Sequence, residues 1–211
     1  MNVSPSKENI LKKIRKALSH STPLPFPLSE GNQSVFQPSG QEIEVEFAEQ
    51  FTKLQGRFVF CINQQELAFQ LSSLIKKQDW QKVYCREEAL IQPFTSQIGE
   101  RLVKTGLADC DVSITGCECL VARTGSIVMS AAQASGRTTS VYAPVHICIA
   151  YTSQLVYDLR DALQLMKERY GASLPSLITF ASGPSRTADI EKTLVVGVHG
   201  PKEVYLFLVE A

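Results

Sequence analysis

Two hydrophobic periods alternate along the chain from residue 41 onward. Ile43, Phe47, Phe51 and Leu54 recur at helical spacing, the signature of one apolar face at 3.6 residues per turn. Residues 57–62 form a short β-rich run. Leu67, Leu71, Leu74 and Ile75 then restore the helical period up to Trp80. Residues 82–85 predict a short strand, and residues 87–105 read as largely helical, with Pro93 disturbing the start. Strands are predicted over 111–115, 119–122, 126–130, 145–150, 177–180 and 204–209. Residues 155–170 predict a helix, with Gly171 as its stop. Strands alternating with helices imply an α/β layer structure around a mostly parallel sheet. The closer strand spacing between 111 and 150 adds antiparallel or hairpin content.

The first forty residues follow other rules. Ser4 and Pro5 predict a helix start. Ile10, Leu11, Ile14 and Leu18 make an apolar stripe, and Lys12, Lys13, Arg15 and Lys16 face away from it. Pro23, Pro25 and Pro27 then favour extended chain. The expected organisation is a helix with a Pro-rich linker over 1–40 and an α/β domain over 41–211.

Charge narrows the function. Lys and Arg number 21, Asp and Glu 21, so the formal charge is zero. Nucleic-acid affinity rests largely on neutralising phosphates, so a nucleic-acid partner is not expected. Apolar runs reach about seven residues, whereas a spanning helix needs ~20. The N-terminus also lacks the apolar block of a signal peptide. A cytoplasmic protein without membrane insertion is the expectation. Cys61, Cys85, Cys110, Cys117, Cys119 and Cys148 lack paired C-x2-C steps. They read as reduced thiols packed as small hydrophobes, with no metal expected, and Cys110, Cys117 and Cys119 as the one suggestive cluster.

Polar loops carry the candidate chemistry. Thr115-Gly116-Cys117-Glu118 and Arg123-Thr124-Gly125-Ser126 each set a Gly beside a strand end, where open α/β sheets bind ligands. The loop holding Arg137 offers a planar fork of donors, and His146 opens the apolar run behind it. Ser182-Gly183-Pro184-Ser185-Arg186-Thr187-Ala188-Asp189 follows a predicted strand. A short helix beginning there is expected to present free N–H groups to an anion. Ser185 and Thr187 would cap it or touch the ligand, Arg186 would pair with a carboxylate or phosphate, and Asp189 would orient Arg186 or a neighbouring loop. His199 stands between Gly197 and Gly200, where its ring can reach a ligand. The candidate binding set is Thr124, Gly125, Ser126, Arg137, Ser182, Gly183, Ser185, Arg186, Thr187, Asp189, Gly197 and Gly200. Glu118 and His199 are the candidate catalytic residues, either one as acid, base or nucleophile.

In this order the loops resemble the lactate utilization protein C family, the LUD-domain proteins. Ile114-Thr115-Gly116-Cys117-Glu118, Thr124-Gly125-Ser126, Pro144-Val145-His146-Ile147, Gly183 through Glu191, and Gly197-Val198-His199-Gly200-Pro201 carry the resemblance. It implies a three-layer NagB/RpiA/CoA-transferase-like fold, a central sheet between helices. It implies a non-redox subunit of a system that oxidises L-lactate to pyruvate. The iron–sulfur clusters of that system would sit in partner proteins, this chain binding no cofactor, and a homo-oligomer is compatible. Arg123 stands where many members carry an acid. The competing reading is a transferase- or ligase-type enzyme acting on a CoA, nucleotide or phosphorylated substrate. A third is an assembly module docked through the first helix.

Overall fold

The computed structural model describes residues 5–19, 40–187 and 195–211. The chain forms two compact units, residues 1–37 and 38–211. In the first, helix α1 (Pro5–Leu18) carries Glu8 in its first turn and Arg15 and Lys16 in its last, which complements the helix dipole. Ile10, Leu11 and Ile14 are exposed. The predicted cap Ser4 and the Pro-rich segment 20–39 lie outside the described residues.

The second unit runs α2 (Ile43–Lys53), β1 (Arg57–Cys61), α3 (Gln64–Lys77), β2 (Val83–Cys85), α4 (Glu88–Ile91), α5 (Thr95–Ile98), β3 (Leu102–Val103) and β4 (Val112–Thr115). It continues with β5 (Cys119–Val121), β6 (Ser126–Ser130), α6 (Thr139–Tyr142), β7 (Val145–Tyr151), β8 (Leu155–Val156) and α7 (Leu159–Tyr170). β9 (Ile178–Ala181), β10 (Arg186–Thr187), β11 (Val195–Val196) and β12 (Glu203–Val209) complete the order.

The six-stranded central sheet has the order β1-β12-β7-β4-β2-β3. Every pairing in it is parallel, as the alternating pattern predicts. β7 and β12 read as near-continuous apolar runs because both faces of a parallel sheet are covered. On one face, Leu67, Leu71 and Ile75 of α3 join Ile91, Phe94 and Ile98 over Val112, Ile114, Ile147 and Phe207. Truncating one such buried Leu to Ala costs ~2–5 kcal/mol. On the other face, Phe47 and Phe51 of α2 cover Cys148, Ala150, Val204, Leu206 and Leu208.

That second face also receives a four-stranded sheet, ordered β8-β5-β6-β9. β5, β6 and β9 pair antiparallel and β8 joins parallel, the hairpin content that the close strand spacing predicted. Leu120, Ile127 and Met129 face the central sheet. Cys119, Val121 and Val128 face outward onto Ala162, Leu159 and Leu165 of α7. The central sheet is thus flanked by helices, with the small sheet wedged beneath α7.

Three predicted elements differ. Residues 87–105 break into single turns that end in strand β3, because Pro93 removes a donor and its neighbours pack inward one turn at a time. Leu155 and Val156 are a strand pairing with Leu120 and Val121; the helix starts later, where Asp158 accepts the Arg160 N–H as its cap. Arg186 and Thr187 do not start a helix. They pair antiparallel with Val196 and Val195, a partner that local sequence does not reveal.

Candidate functional site

Because the central strands run one way, the sheet has a distinct end where chain enters and one where it leaves. The predicted site residues divide between these ends.

At the entering end, Thr124, Gly125, Ser126, Ser182, Gly183 and Arg186 gather around the last turn of α2. The hydroxyls form a chain: Thr124 Oγ1 to Ser126 Oγ is 2.8 Å, and Ser126 Oγ to Ser182 Oγ is 2.6 Å. Gly125 has φ 57°, and a Cβ on it would lie 2.5 Å from the Phe51 nitrogen. The left-handed backbone and the helix pressing against it both demand glycine. Gly183 (φ 90°) meets the Leu54 carbonyl in the same way. Arg186 donates to that Leu54 oxygen. A cation on a free carbonyl at a helix C-terminus is favourable on both counts. The guanidinium predicted to take an anion is therefore engaged with backbone. Thr187 lies in β10, and Asp189 lies outside the described residues, as does the helix expected over 188–190.

Beside this clasp, Gly197, Val198, His199 and Gly200 line a pocket of about 400 Å³ with Val141 and Tyr142. Two backbone bonds fix its floor: Gly197 N–H donates to the Ser185 carbonyl and Ser185 N–H to the Pro201 carbonyl, both at 2.9 Å. A Cβ on Gly200 would lie 2.9 Å from Ser185 Cβ and 3.2 Å from its Oγ. The Ser185 hydroxyl thus sits against the His199 loop. Val141, Tyr142 and Val198 add exposed apolar surface to the same pocket.

Glu118 lies at the leaving end, 3% exposed on its side chain. Its Oε1 accepts from Ser130 Oγ at 2.6 Å and Tyr170 Oη at 2.7 Å. Its Oε2 accepts from Arg169. Burial and the carboxylate together hold the Tyr170 hydroxyl above its ordinary range. With both oxygens engaged, this carboxylate ties α7 to β6. Arg123 pairs with Asp158 at 2.5 Å, and Arg160 N–H together with Arg123 keeps that carboxyl below its usual range. Arg137 donates to Ser176 Oγ at 2.6 Å.

Between the ends, the buried His146 meets Thr115 Oγ1 through Nε2 at 2.8 Å. Burial pushes its pKa down to about 4, so the ring is neutral at neutral pH. Ser113, its register partner on β4, has the buried hydroxyl without a hydrogen-bond partner among the described residues. All six cysteines are free and all but Cys85 are buried. Burial raises the Cys119 thiol to about 12, and the neighbouring Cys148 together with burial pushes Cys117 well up. These are not reactive thiolates at neutral pH. Among the described residues, no three His, Cys, Asp or Glu side chains group as metal ligands. No described helix is long and apolar enough to cross a membrane.

The sequence model described as the LUD domain matches residues 86–209, more than half of the chain. The chain belongs to the LUD-domain family. This LUD domain is 39% identical over 114 residues to the lactate utilization protein C of Halalkalibacterium halodurans, covering 53% of the chain and 49% of that protein. It is 33% identical over 141 residues to that of Bacillus subtilis, covering 66% and 56%. The chain spans about half the length of the curated relatives it matches. A crystal structure of a DUF162 family protein from Deinococcus radiodurans superposes with a TM-score of 0.62 at 18% identity, over 79% of this chain and 96% of that one. That likeness shows the fold.

Sequence reasoning missed Arg86, Glu87 and Gln133. Glu87 and Gln133 flank Gly116 at the leaving end, and Arg86 lies by Gly136: Gly116 N–H donates to Glu87 Oε1 at 3.1 Å, Gln133 Nε2 lies 3.9 Å from where a Gly116 Cβ would sit, and Arg86 Nη1 lies 3.9 Å from where a Gly136 Cβ would sit. The available signal was positional. Arg86 and Glu87 directly follow a strand that is hydrogen-bonded to the one ending at Thr115.

Proposed function

We propose that this LUD domain is the non-redox component of a lactate utilization system and binds a small anionic ligand in the pocket beside His199. The names of its relatives support the role. The observation that carries the site is the pocket itself, which brings His199 together with the apolar Val141, Tyr142 and Val198, while the Ser185 hydroxyl packs behind Gly200 of the same loop. A short carboxylic acid matches both: the imidazole donates to its oxygens, and its carbon end packs on the apolar side chains. Pre-formed donors at a fixed turn cost little reorganisation on binding. The electron transfer of lactate oxidation belongs to iron–sulfur partner proteins, and this chain contributes the ligand-binding domain.

Calorimetry with L-lactate, pyruvate and phosphate tests the pocket. At least one of them is expected to bind, and H199A to lose about tenfold or more, the size of one hydrogen bond to a charged group. R186A is expected to bind normally, because its guanidinium serves the Leu54 carbonyl. Equal binding by H199A, or no binding of any of the three, overturns the reading.

A further inference from the structure

β2 and β4 are parallel neighbours whose chains depart to opposite faces of the sheet. After β2 the chain enters the turns that pack with α3. After β4 it enters the small sheet on the other face. Such a divergence opens a crevice at the strand ends, the place where open α/β sheets take ligands. In this crevice three side chains carry unengaged polar groups.

Arg86 makes no ion pair or hydrogen bond among the described residues, and its Nη1 lies 3.9 Å from where a Cβ of Gly136 would stand. Glu87 holds the Gly116 N–H with Oε1. Its Oε2 accepts nothing among the described residues, and it lies 3.0 Å from the position of a Gly116 Cβ. Gln133 is oriented rather than loose. Its Oε1 accepts the Ser130 N–H at 2.9 Å, which leaves Nε2 as a donor over Gly116. A turn closed by Gly136 N–H on the Gln133 carbonyl at 2.9 Å brings the Gln133 and Gly136 sides together. The crevice therefore presents an amide donor and one carboxylate oxygen over Gly116 and a cation beside Gly136, on the turn that carries the amide.

A simple carboxylate satisfies Arg86 and Gln133 but leaves Glu87 Oε2 facing an acceptor. A neutral alcohol satisfies Glu87 alone. We propose that this crevice is a second ligand site, selective for a small acid that carries a hydrogen-bond donor on the carbon beside its carboxylate, a 2-hydroxy or 2-amino acid. The carboxylate pairs with Arg86 and accepts from Gln133. The hydroxyl or ammonium donates to Glu87 Oε2. A 2-oxo acid has an acceptor at that position and is rejected, since it sets two oxygens with lone pairs against each other.

The test is an amide-resolved NMR titration of the full chain with L-lactate, L-alanine, pyruvate and acetate. The expected result is a shift of the Gly116 amide by L-lactate or L-alanine at affinities tenfold or more above pyruvate and acetate. The stronger of the two identifies hydroxyl or ammonium as the preferred donor. R86A is expected to remove the Gly116 response, and E87A to bring the lactate-to-pyruvate ratio near one. H199A is expected to leave both unchanged, which separates this site from the pocket. A Gly116 amide that responds to none of the four, or equally to lactate, alanine and pyruvate, overturns the proposal. So does a preference that survives E87A in a chain whose remaining spectrum is native.

Discussion

At the end where chain enters the parallel strands, Arg186 donates to the Leu54 carbonyl, and Gly125 and Gly183 press against α2. At the end where chain leaves them, Arg86 has no partner among the described residues, and Gly116 has the side-chain tips of Glu87 and Gln133 beside it, with no backbone pressing on it. Both ends are rich in Gly, Arg and hydroxyls. The difference is what the donors face. A backbone carbonyl left over from a helix terminus takes Arg186 at one end; at the other, Glu118 takes Arg169, Ser130 and Tyr170, and Arg86 is left exposed. Polar composition marks a loop as chemically equipped, and only the geometry tells clasp from cleft.

The two glycines give the sharpest contrast. Gly125→Val places a branched side chain at φ 57° and within 2.5 Å of the Phe51 backbone, and it is expected to cost ~3 kcal/mol or more. Gly116→Ala meets a side-chain oxygen at 3.0 Å, which can rotate away, so ~1 kcal/mol or less is expected. Urea unfolding of both variants measures the difference, and comparable losses would erase the distinction drawn between the ends.

Next in size is a pH effect from His146. Its ordinary value of 6.5 applies to the unfolded chain, and burial lowers the folded value to about 4. Between these values the unfolded state binds the extra proton, so stability is full above pH 6.5 and falls as pH drops toward 4. The loss is on the order of 3 kcal/mol. His146→Gln should flatten that part of the profile when urea midpoints are compared at pH 7, 5 and 4.

Glu118→Ala follows. It leaves the Ser130 and Tyr170 hydroxyls and the Arg169 guanidinium without their acceptor. Arg169 is half-exposed and regains water, so ~2 kcal/mol is expected rather than the full cost of a stranded buried charge. Thermal unfolding reads it, with α7 loosening first in hydrogen exchange. Arg186→Ala is the smallest. Its bond to Leu54 is exposed, and ~1 kcal/mol or less should be lost.

The periodic elements were legible in the sequence for a physical reason. β7, β12, α2 and α3 carry apolar patterns set by their own burial, and a pattern of that kind is local. Strands β5, β6 and β9 of the small sheet were legible too, but the pairing of β6 with β9, the strand at Leu155–Val156 and the Arg186–Thr187 pairing with Val195–Val196 depend on partners outside any local window, so periodicity could not show them. The site divides in the same manner. Gly197, His199 and Gly200 lie together in one short loop, and their shared pocket follows from adjacency. Glu118 read as a free acid because Arg169 and Tyr170 lie about fifty residues away. Glu87 read as nothing because Gly116, its partner, is 29 residues on.

One titration tests the two-ended account most directly. Amide spectra of the full chain are recorded with pyruvate and, separately, with L-lactate. Pyruvate is expected to move the amides of Gly197 to Gly200 and to leave Gly116 in place, whereas L-lactate moves Gly116 as well. If both acids shift the same amides, or if neither reaches the His199 loop, the separation of a pocket at the entering end from a crevice at the leaving end is contradicted.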